Sequence, residues 1–344
     1  MDKSDKIIVG ISIGDLNGIG IEVILKTFQD KRMLDFCTPI IFGSTKVVSF
    51  HKKALKIETP VHGITSLNQL NHNKINILNI WKEEVSIELG KATKISGEYA
   101  AKSLEAALTF LKEKKINVLL TAPINKETIQ SEGFNFPGHT EYLEANLEGK
   151  SLMILMTDKL RIGLITGHIP ISKVAESITS DLITEKVEIM HSSLVQDFGI
   201  NKPKIAVLSL NPHCGDKGVI GEEDDEVIQP TIEEISKTGK LVFGPYAADG
   251  FFGSETYKQF DGVLATYHDQ GLAPFKALSF GNGVNYTAGL SEIRTSPDHG
   301  TGFDIAGKNM ANPSSFKEAL FTAIQVFKTK KEYKELTKNT LLVK

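Results

Sequence analysis

Short apolar runs alternate along the chain with stretches whose apolar residues recur at helical spacing. The runs predict strands within 6–13, 38–43, 117–121, 152–156, 160–166, 204–210 and 263–265. The helical spacing predicts helices within 21–28, 97–115, 141–147, 180–198, 222–238 and 315–338. Because strands alternate with helices, the chain is predicted to form an α/β fold with a largely parallel sheet. Residues 55–90 are predicted to be irregular or strand-rich.

The composition limits the class of protein. A chain of 344 residues exceeds the size of one hydrophobic core, so two domains are expected. A net charge of -3 argues against a nucleic-acid-binding protein that relies on neutralising phosphates. Cys37 and Cys214 form no CxxC pair and fit a reducing cytoplasm. The N-terminal apolar segment is too short for a signal peptide, and no run approaches the roughly 20 residues that span a bilayer. A cytoplasmic protein without a membrane partner is therefore expected.

Three histidines follow predicted strands directly. His168, His213 and His268 each come after an apolar run, so they can converge at one edge of a parallel sheet. Histidine is a common ligand of catalytic divalent metals, which makes a shared metal site one interpretation. In the other interpretation each histidine only forms local hydrogen bonds, and the residues alone support both equally. The acidic residues of 222–226 are interpreted as the solvated first turn of a helix.

The region 261–307 holds candidate anion ligands. Lys276, Asn285 and Arg294 each lie among glycines or short apolar runs. Such a set can surround an anion, and an arginine can bind a phosphate or carboxylate through two parallel hydrogen bonds. The alternative is that these are ordinary surface residues. The combination of all three favours a binding site.

Two further segments each allow two interpretations. Residues 14–20 form a glycine-containing loop between a predicted strand and a helix, which is either a phosphate-binding loop or a tight turn. The glycine spacing fits neither GxGxxG nor the P-loop, so no dinucleotide site is predicted there. His139 and Thr140 precede a predicted helix, and their spacing alone favours a helix cap.

Several motifs resemble those of one enzyme family. The segments that read YHDQGLAPFK, GVNYTAGL and RTSPDHGTGFDIAG resemble successive motifs of the 4-hydroxythreonine-4-phosphate dehydrogenase family of vitamin B6 biosynthesis. The segment HGTGFDIAGKNMANPSSF is similar to the cofactor loop of isopropylmalate dehydrogenases. The loop at 14–20 resembles the family segment GDPxGIGPE, with Leu16 and Ile21 where prolines are usual. Motifs of this kind extend from Gly14 to Asn312.

The resemblance implies an isopropylmalate-dehydrogenase-like fold with two α/β domains and an interdomain cleft. The expected domains are residues 1–135 with 285–344, and residues 136–284. The family forms homodimers with shared active sites, in which His268 of one subunit completes a metal site of His168 and His213 of the other. The metal would be a divalent ion such as Zn, Mg, Co or Mn. Cys214, where the family usually has alanine, is interpreted as a packing residue.

The resemblance also implies a reaction. The family oxidises 4-phosphooxy-L-threonine with NAD or NADP, and the product loses carbon dioxide to give 3-amino-2-oxopropyl phosphate. Matching positions imply that the substrate is bound by His139, Thr140, Lys276, Asn285 and Arg294. The expected cofactor residues are His299, Gly300, Thr301, Asp304 and Asn312. Asp249 and Asp269 are both candidates for the general base.

Two alternatives remain open. The same scaffold can act on threonate or erythronate phosphate, or on a cyclic diol. A metal-dependent hydrolase or acyltransferase without a nicotinamide cofactor is the second alternative, and the missing GxGxxG pattern slightly favours it.

Overall fold

The computed structural model describes residues 6–131, 133–279 and 281–339. The chain divides into two compact units, one formed by Met1–Leu147 with Glu292–Phe327 and the other by Glu148–Ser291 with Lys328–Lys344. Both units contain strands and helices, which confirms the predicted α/β class. Among the described residues, no helix combines the length and the apolarity that crossing a bilayer requires.

Each predicted apolar run overlaps a strand, and further strands occur outside those runs. In chain order the strands are β1 Ile7–Ser12, β2 Cys37–Gly43, β3 Val61–Ile64, β4 Ile75–Asn79, β5 Val118–Thr121, β6 Gly149–Thr157, β7 Leu160–Leu164, β8 Lys204–Leu208, β9 Leu241–Tyr246, β10 Gly262–Ala265, β11 Val284–Leu290 and β12 Arg294–Pro297. The segment 55–90, which was predicted to be irregular or strand-rich, contains β3 and β4.

Each predicted helical stretch overlaps a helix, and further helices occur outside those stretches. In chain order the helices are α1 Gly20–Thr27, α2 Met33–Phe36, α3 Thr45–Leu55, α4 Lys94–Lys112, α5 His139–Asn146, α6 Val174–Ser177, α7 Ser180–Gln196, α8 Gln229–Lys237, α9 Ala248–Gly253, α10 His268–Ser279 and α11 Ser314–Thr337. Short 3-10 turns occur at Leu67–Gln69, Ile171–Lys173 and Thr256–Gln259, and a π-helical turn at Asp224–Ile228 precedes α8. The helix predicted over 222–238 is therefore an α-helix only in its second half.

The first unit has a parallel sheet in the strand order β3-β4-β2-β1-β5-β12. Its central strand β1 is apolar on both faces because helices cover both sides of such a sheet. Thr93 caps α4 by accepting a hydrogen bond from Ser96 N. The carboxyl ends of β1 and β5 lie side by side, since Ala122 N donates to Ser12 O at 3.0 Å. The loops that follow these two strands are thereby brought together.

The second unit has the strand order β11-β6-β7-β10-β8-β9. Strands β7 to β10 run parallel, whereas β6 pairs antiparallel with both β11 and β7. Strands β6 and β7 form a hairpin in which Thr157 pairs with Leu160. A buried apolar cluster that includes Ile162, Val263 and Phe275 packs the sheet against α10. The carboxyl ends of β7, β8 and β10 carry the segments with His168, His213 and His268.

Candidate functional site

Arg294 is the first residue of β12 and is only 2% exposed, which is unusual for a charged side chain. Its Nε and Nη2 donate to Thr121 Oγ1 at 3.1 and 2.7 Å, and Thr121 ends the neighbouring strand β5. Burial lowers the pKa of Arg294 to about 9, and the nearby Glu141 carboxylate acts in the opposite direction. The guanidinium therefore stays charged at neutral pH in a place shielded from water, where an anion is attracted strongly.

His139 begins α5 in the same unit. Burial, and then the positive charges of Arg294 and Lys126, lower the pKa of His139 well below its ordinary value, so the ring is neutral. Its Nε2 is shielded from solvent, and the described residues give it no hydrogen-bond partner. Gly138 is the N-cap residue of α5, without a side-chain cap bond, so the cap interpretation of His139 and Thr140 is wrong. A neutral imidazole beside a buried guanidinium is suited to bind a ligand.

Lys276 and Asn285 belong to the second unit. Lys276 lies in the last turn of α10 and is exposed. Asn285 is on β11 opposite Leu155, and its Oδ1 is shielded from solvent without a hydrogen-bond partner among the described residues. A shielded, unsatisfied amide oxygen is uncommon in a folded protein, and a ligand is one way to satisfy it.

The structure brings two of the three predicted metal ligands together within one chain. The rings of His168 and His268 lie with their centroids 5.4 Å apart. His268 Nδ1 is 2.7 Å from Asp269 Oδ1, so a neutral ring donates from Nδ1 and keeps the Nε2 lone pair for a ligand. Within the part of the chain that the structure describes, no three His, Cys, Asp or Glu side chains are grouped as a metal ion requires. Within one chain, His213 therefore does not join the other two in one ligand set.

His213 lies in a left-handed turn. It has φ 54°, and Cys214, Asp216 and Lys217 also have positive φ angles. Such angles are unfavourable for residues with a Cβ, so other contacts must hold the turn. Asp224 fixes the backbone just before the turn, because its carboxylate accepts hydrogen bonds from the backbone amides of Leu210 at 2.8 Å and Asn211 at 2.9 Å.

Asp224 was predicted to lie on a solvated helical face, and that prediction is wrong because the residue is fully buried. The interpretation of Cys214 as a packing residue agrees with a contact from its Sγ to Pro245 O at 3.5 Å, and burial raises the pKa of its thiol. Of the two candidate bases, Asp269 contacts His268, whereas Asp249 accepts a hydrogen bond from its neighbour Gly250 N at 2.7 Å.

The predicted cofactor residues lie in a loop of the first unit. His299 Nδ1 is 3.0 Å from Gly300 O, so Nδ1 carries the proton and Nε2 is a bare acceptor in the neutral ring. That Nε2 is shielded from solvent and has no partner among the described residues. Thr301 O accepts from Ile19 N at 2.9 Å, while Asp304 is exposed. Asn312 Oδ1 accepts from Ser314 N and Oγ and so caps α11.

Similarity to characterised proteins decides the family. Residues 35–323 match the profile of the family described as pyridoxal phosphate biosynthetic protein PdxA. The chain is 51% identical over 341 residues to 4-hydroxythreonine-4-phosphate dehydrogenase of Bacteroides thetaiotaomicron, covering 98% of this chain and 94% of that protein. The chain belongs to the PdxA family. The resemblance seen in the motifs is thereby confirmed.

Two further relatives show the range of the PdxA family. The solved structure of 4-hydroxythreonine-4-phosphate dehydrogenase from Klebsiella pneumoniae superposes with a TM-score of 0.79 at 29% identity, covering 94% of this PdxA-family chain and all of that one (100%). A protein of Oceanobacillus iheyensis named putative D-threonate 4-phosphate dehydrogenase is 37% identical, covering 95% of this chain and 100% of its own length. The chain is therefore similar to proteins whose names give different substrates.

Proposed function

We propose that this PdxA-family chain oxidises 4-phosphooxy-L-threonine with NAD or NADP, and that the oxidised product then loses carbon dioxide to give 3-amino-2-oxopropyl phosphate. The reaction is a step of pyridoxal phosphate biosynthesis. The observation that carries the proposal is the buried Arg294 beside the neutral His139, in a chain half identical to a 4-hydroxythreonine-4-phosphate dehydrogenase over nearly its full length. A buried guanidinium that a neutral hydroxyl holds in place suits a phosphorylated substrate.

Each proposed substrate ligand has a distinct task. Arg294 supplies a fixed positive charge to a substrate anion, and its two bonds to Thr121 hold the plane of the guanidinium. His139 is neutral, so it binds through a directed hydrogen bond, with Thr140 beside it in the first turn of α5. Asn285 of the second unit offers its shielded amide oxygen, and Lys276 an exposed positive charge. Anchoring the substrate at several points orients the reacting carbon.

The loop 299–304 fits a nicotinamide dinucleotide. His299 Nε2 is a shielded acceptor whose partner is absent from the described residues, and an amino or hydroxyl group of the cofactor can donate to it. Among the described residues, apart from the two chain neighbours of Gly300, no heavy atom lies within 4 Å of the Cβ that a substitution there would add, which leaves room against the backbone. A nicotinamide dinucleotide bound there would supply the acceptor for the hydride of the substrate carbon. We propose that His299, Gly300, Thr301, Asp304 and Asn312 form this side of the site.

Within the described part of one chain, two of the three imidazoles lie close together, so one chain supplies an incomplete set of ligands for a divalent metal. We propose that His168 and His268 bind the metal together with His213, and that a second copy of the chain supplies what one chain lacks. The metal would act as a Lewis acid toward the substrate hydroxyl. Asp269 orients His268, and Asp249 is left as the candidate for the general base.

D-threonate 4-phosphate is the second candidate substrate, because a 37% identical relative carries that substrate in its name. Purified protein should be supplied with a divalent metal and with NAD or NADP, and tested on 4-phosphooxy-L-threonine, D-threonate 4-phosphate and a cyclic diol. The near-ultraviolet absorbance of the reduced nicotinamide reports oxidation, and trapped carbon dioxide reports decarboxylation. A higher kcat/KM for 4-phosphooxy-L-threonine supports the proposal. A preference for D-threonate 4-phosphate favours the second candidate, and no nicotinamide reduction with any substrate contradicts both.

A further inference from the structure

Asn17 lies in the loop between β1 and α1 and is completely buried. All the hydrogen-bonding atoms of its side chain are used. Nδ2 donates to Lys91 O at 2.8 Å and to Thr93 Oγ1 at 3.1 Å, and Oδ1 accepts from Glu88 N at 2.8 Å. The backbone carbonyl of Asn17 also accepts from Gly90 N at 2.8 Å. This one residue therefore fastens the whole segment 88–93 to the glycine-containing loop.

Asp15 fixes the conformation of the same loop from the other side. Its Oδ1 accepts from Asn17 N at 2.9 Å, and its Oδ2 accepts from Ser96 Oγ at 2.9 Å and Thr128 Oγ1 at 3.3 Å. Burial raises the pKa of Asp15, and these three hydrogen bonds act against that rise. The loop is thus tied to the first turn of α4 and to the segment after β5, so Asn17 is held at a defined place.

Both segments that Asn17 joins touch the proposed cofactor loop. Ile19 N donates to Thr301 O at 2.9 Å, and a side-chain Cβ on Gly18 would come within 2.7 Å of that same oxygen. A Cβ on Gly90 would come within 2.9 Å of Phe303 O. Residues 301–303 therefore pack against the backbone of two segments, the loop 14–20 and the segment 88–91. The hydrogen bonds of Asn17 join these two segments.

We propose that Asn17 is a positioning residue for the nicotinamide cofactor. It holds the loop 14–20 and the segment 88–91 in register, so that the loop 299–304 presents His299 to the cofactor in one conformation. The inference rests on the proposed function, because it assigns the loop 299–304 to a nicotinamide dinucleotide. Asn17 in this role touches neither cofactor nor substrate and acts through the backbone of Thr301 and Phe303.

Asn76 provides a matched control within the same unit. It lies on β4 and is also completely buried. Its Oδ1 accepts from Asn71 N at 2.8 Å, and its Nδ2 donates to three carbonyl oxygens, those of Pro39, Asn71 and Lys74. Its side chain thus has the same chemistry and burial as Asn17, but its partners lie outside the segments 88–93 and 299–304. Replacing it tests the general cost of disturbing a buried asparagine.

The experiment compares Asn17→Asp with Asn76→Asp in the full-length protein. In Asn17→Asp, an oxygen replaces the amide that donates to Lys91 O and Thr93 Oγ1, and a carboxylate is placed near that of Asp15. We expect the Kd for NADH or NADPH, measured by calorimetry, to rise at least about tenfold, which corresponds to about 1.4 kcal/mol. The KM for the phosphorylated substrate should change less than about twofold, because Asn17 is proposed to act on the cofactor and not on the substrate. Hydrogen exchange should become faster in peptides covering 88–93 and 299–307.

Asn76→Asp should leave the cofactor Kd unchanged and should speed hydrogen exchange only near 71–79. If Asn17→Asp does not fold, Asn17→Ser removes the same hydrogen bonds without adding charge, and the same effects are expected of it. The inference is overturned if folded Asn17 variants bind the cofactor as the wild type does, or if Asn76→Asp weakens binding equally. Wild-type protein that binds neither NADH nor NADPH would instead overturn the proposed function itself.

Discussion

Arg294 directs two of its nitrogens at one oxygen atom, the hydroxyl of Thr121. The two residues come from adjacent parallel strands, with Thr121 ending β5 and Arg294 beginning β12. A hydroxyl compensates a buried guanidinium only in part, because it carries no charge. Compensation of the charge therefore comes from acidic groups such as Glu141 and from any anion that binds.

Replacing Arg294 by lysine should not be conservative. The ammonium group of lysine cannot donate two parallel hydrogen bonds to an anion, and it cannot reproduce both bonds to Thr121. We expect the KM for the phosphorylated substrate to rise about tenfold or more, since a bidentate contact becomes a single one. Arg161→Lys is the control, because Arg161 is a partly buried arginine whose contacts, to Asp261 O and the ring of Phe198, lie within the second unit. If steady-state kinetics give the wild-type KM for both variants, Arg294 does not belong to the substrate site.

His51 should make stability depend on pH. Burial lowers the pKa of His51 from 6.5 to about 4, and its Nε2 donates to Leu16 O at 2.9 Å. Below pH 6.5 His51 becomes protonated in the unfolded chain but stays neutral in the folded protein. The free energy of unfolding therefore falls as the pH drops toward 4. The pKa difference corresponds to a loss of roughly 3 kcal/mol over this range, and above pH 6.5 His51 contributes no pH dependence.

Urea denaturation at a series of pH values would measure this effect. His51→Asn should flatten the decline in the free energy of unfolding between pH 6.5 and 4. The partly exposed His62 is a suitable control, and His62→Asn should keep the wild-type slope. A slope that is the same in His51→Asn and in the wild type would show that another group is responsible.

His213 should be required for metal binding. We expect His213→Ala to lose the bound divalent metal and to lower kcat by at least about a hundredfold, because two imidazoles hold a metal weakly. His191→Ala, on α7 of the same unit, is the control and should retain both metal and activity. The metal content of the dialysed protein is the direct measurement. Full metal occupancy in a His168, His213 and His268 triple-alanine variant would contradict the proposed ligand set.

Mixing inactive subunits tests whether the metal site is shared. His213→Ala and His268→Ala variants should be unfolded together and refolded. If the two histidines of one site come from different chains, each heterodimer has one intact site, and activity returns to about a quarter of wild type for random pairing. If all ligands came from one chain, every site would carry a defect and the mixture would stay inactive.

A second mixture identifies which histidine crosses to the other subunit. His168 and His268 are neighbours within one chain, with ring centroids 5.4 Å apart. If they serve the same site, a mixture of His168→Ala and His268→Ala stays inactive. If His268 completes the site of the partner, as the family resemblance implies, this mixture regains activity as well. Comparing the two mixtures therefore separates the two arrangements.

The buried strands are the most predictable part of the fold. β1, β2 and β5 are buried at nearly all positions, so each contains a run of apolar residues. β3 is only four residues long, only its residue Ile64 is buried, and no comparable run marks it. The π-helical turn at Asp224–Ile228 also has no signature, because an acidic run looks the same whether it faces water or backbone amides.

The parts of the site that are predictable from sequence are those with distinctive residues. Histidines at strand ends and an arginine in a glycine-rich region indicate ligands by residue type and spacing alone. Asn17, Thr121 and Asp224 were missed because their partners are backbone groups or lie far away in the sequence. Only the fold shows that Asn17 meets Lys91 or that Arg294 meets Thr121, since no residue pattern encodes those distances.

The turn around His213 has a consequence for chemical variants of the protein. Its backbone has the left-handed angles that D-amino acids prefer, so these angles are unfavourable for each L-residue with a side chain. A D-lysine at Lys217, where φ is 54° and ψ is 46°, would keep the charge while removing that disadvantage. In the native chain the buried Asp224 fixes the backbone just before the turn, through the amides of Leu210 and Asn211. A D-residue within the turn would favour the same left-handed backbone in which His213 lies.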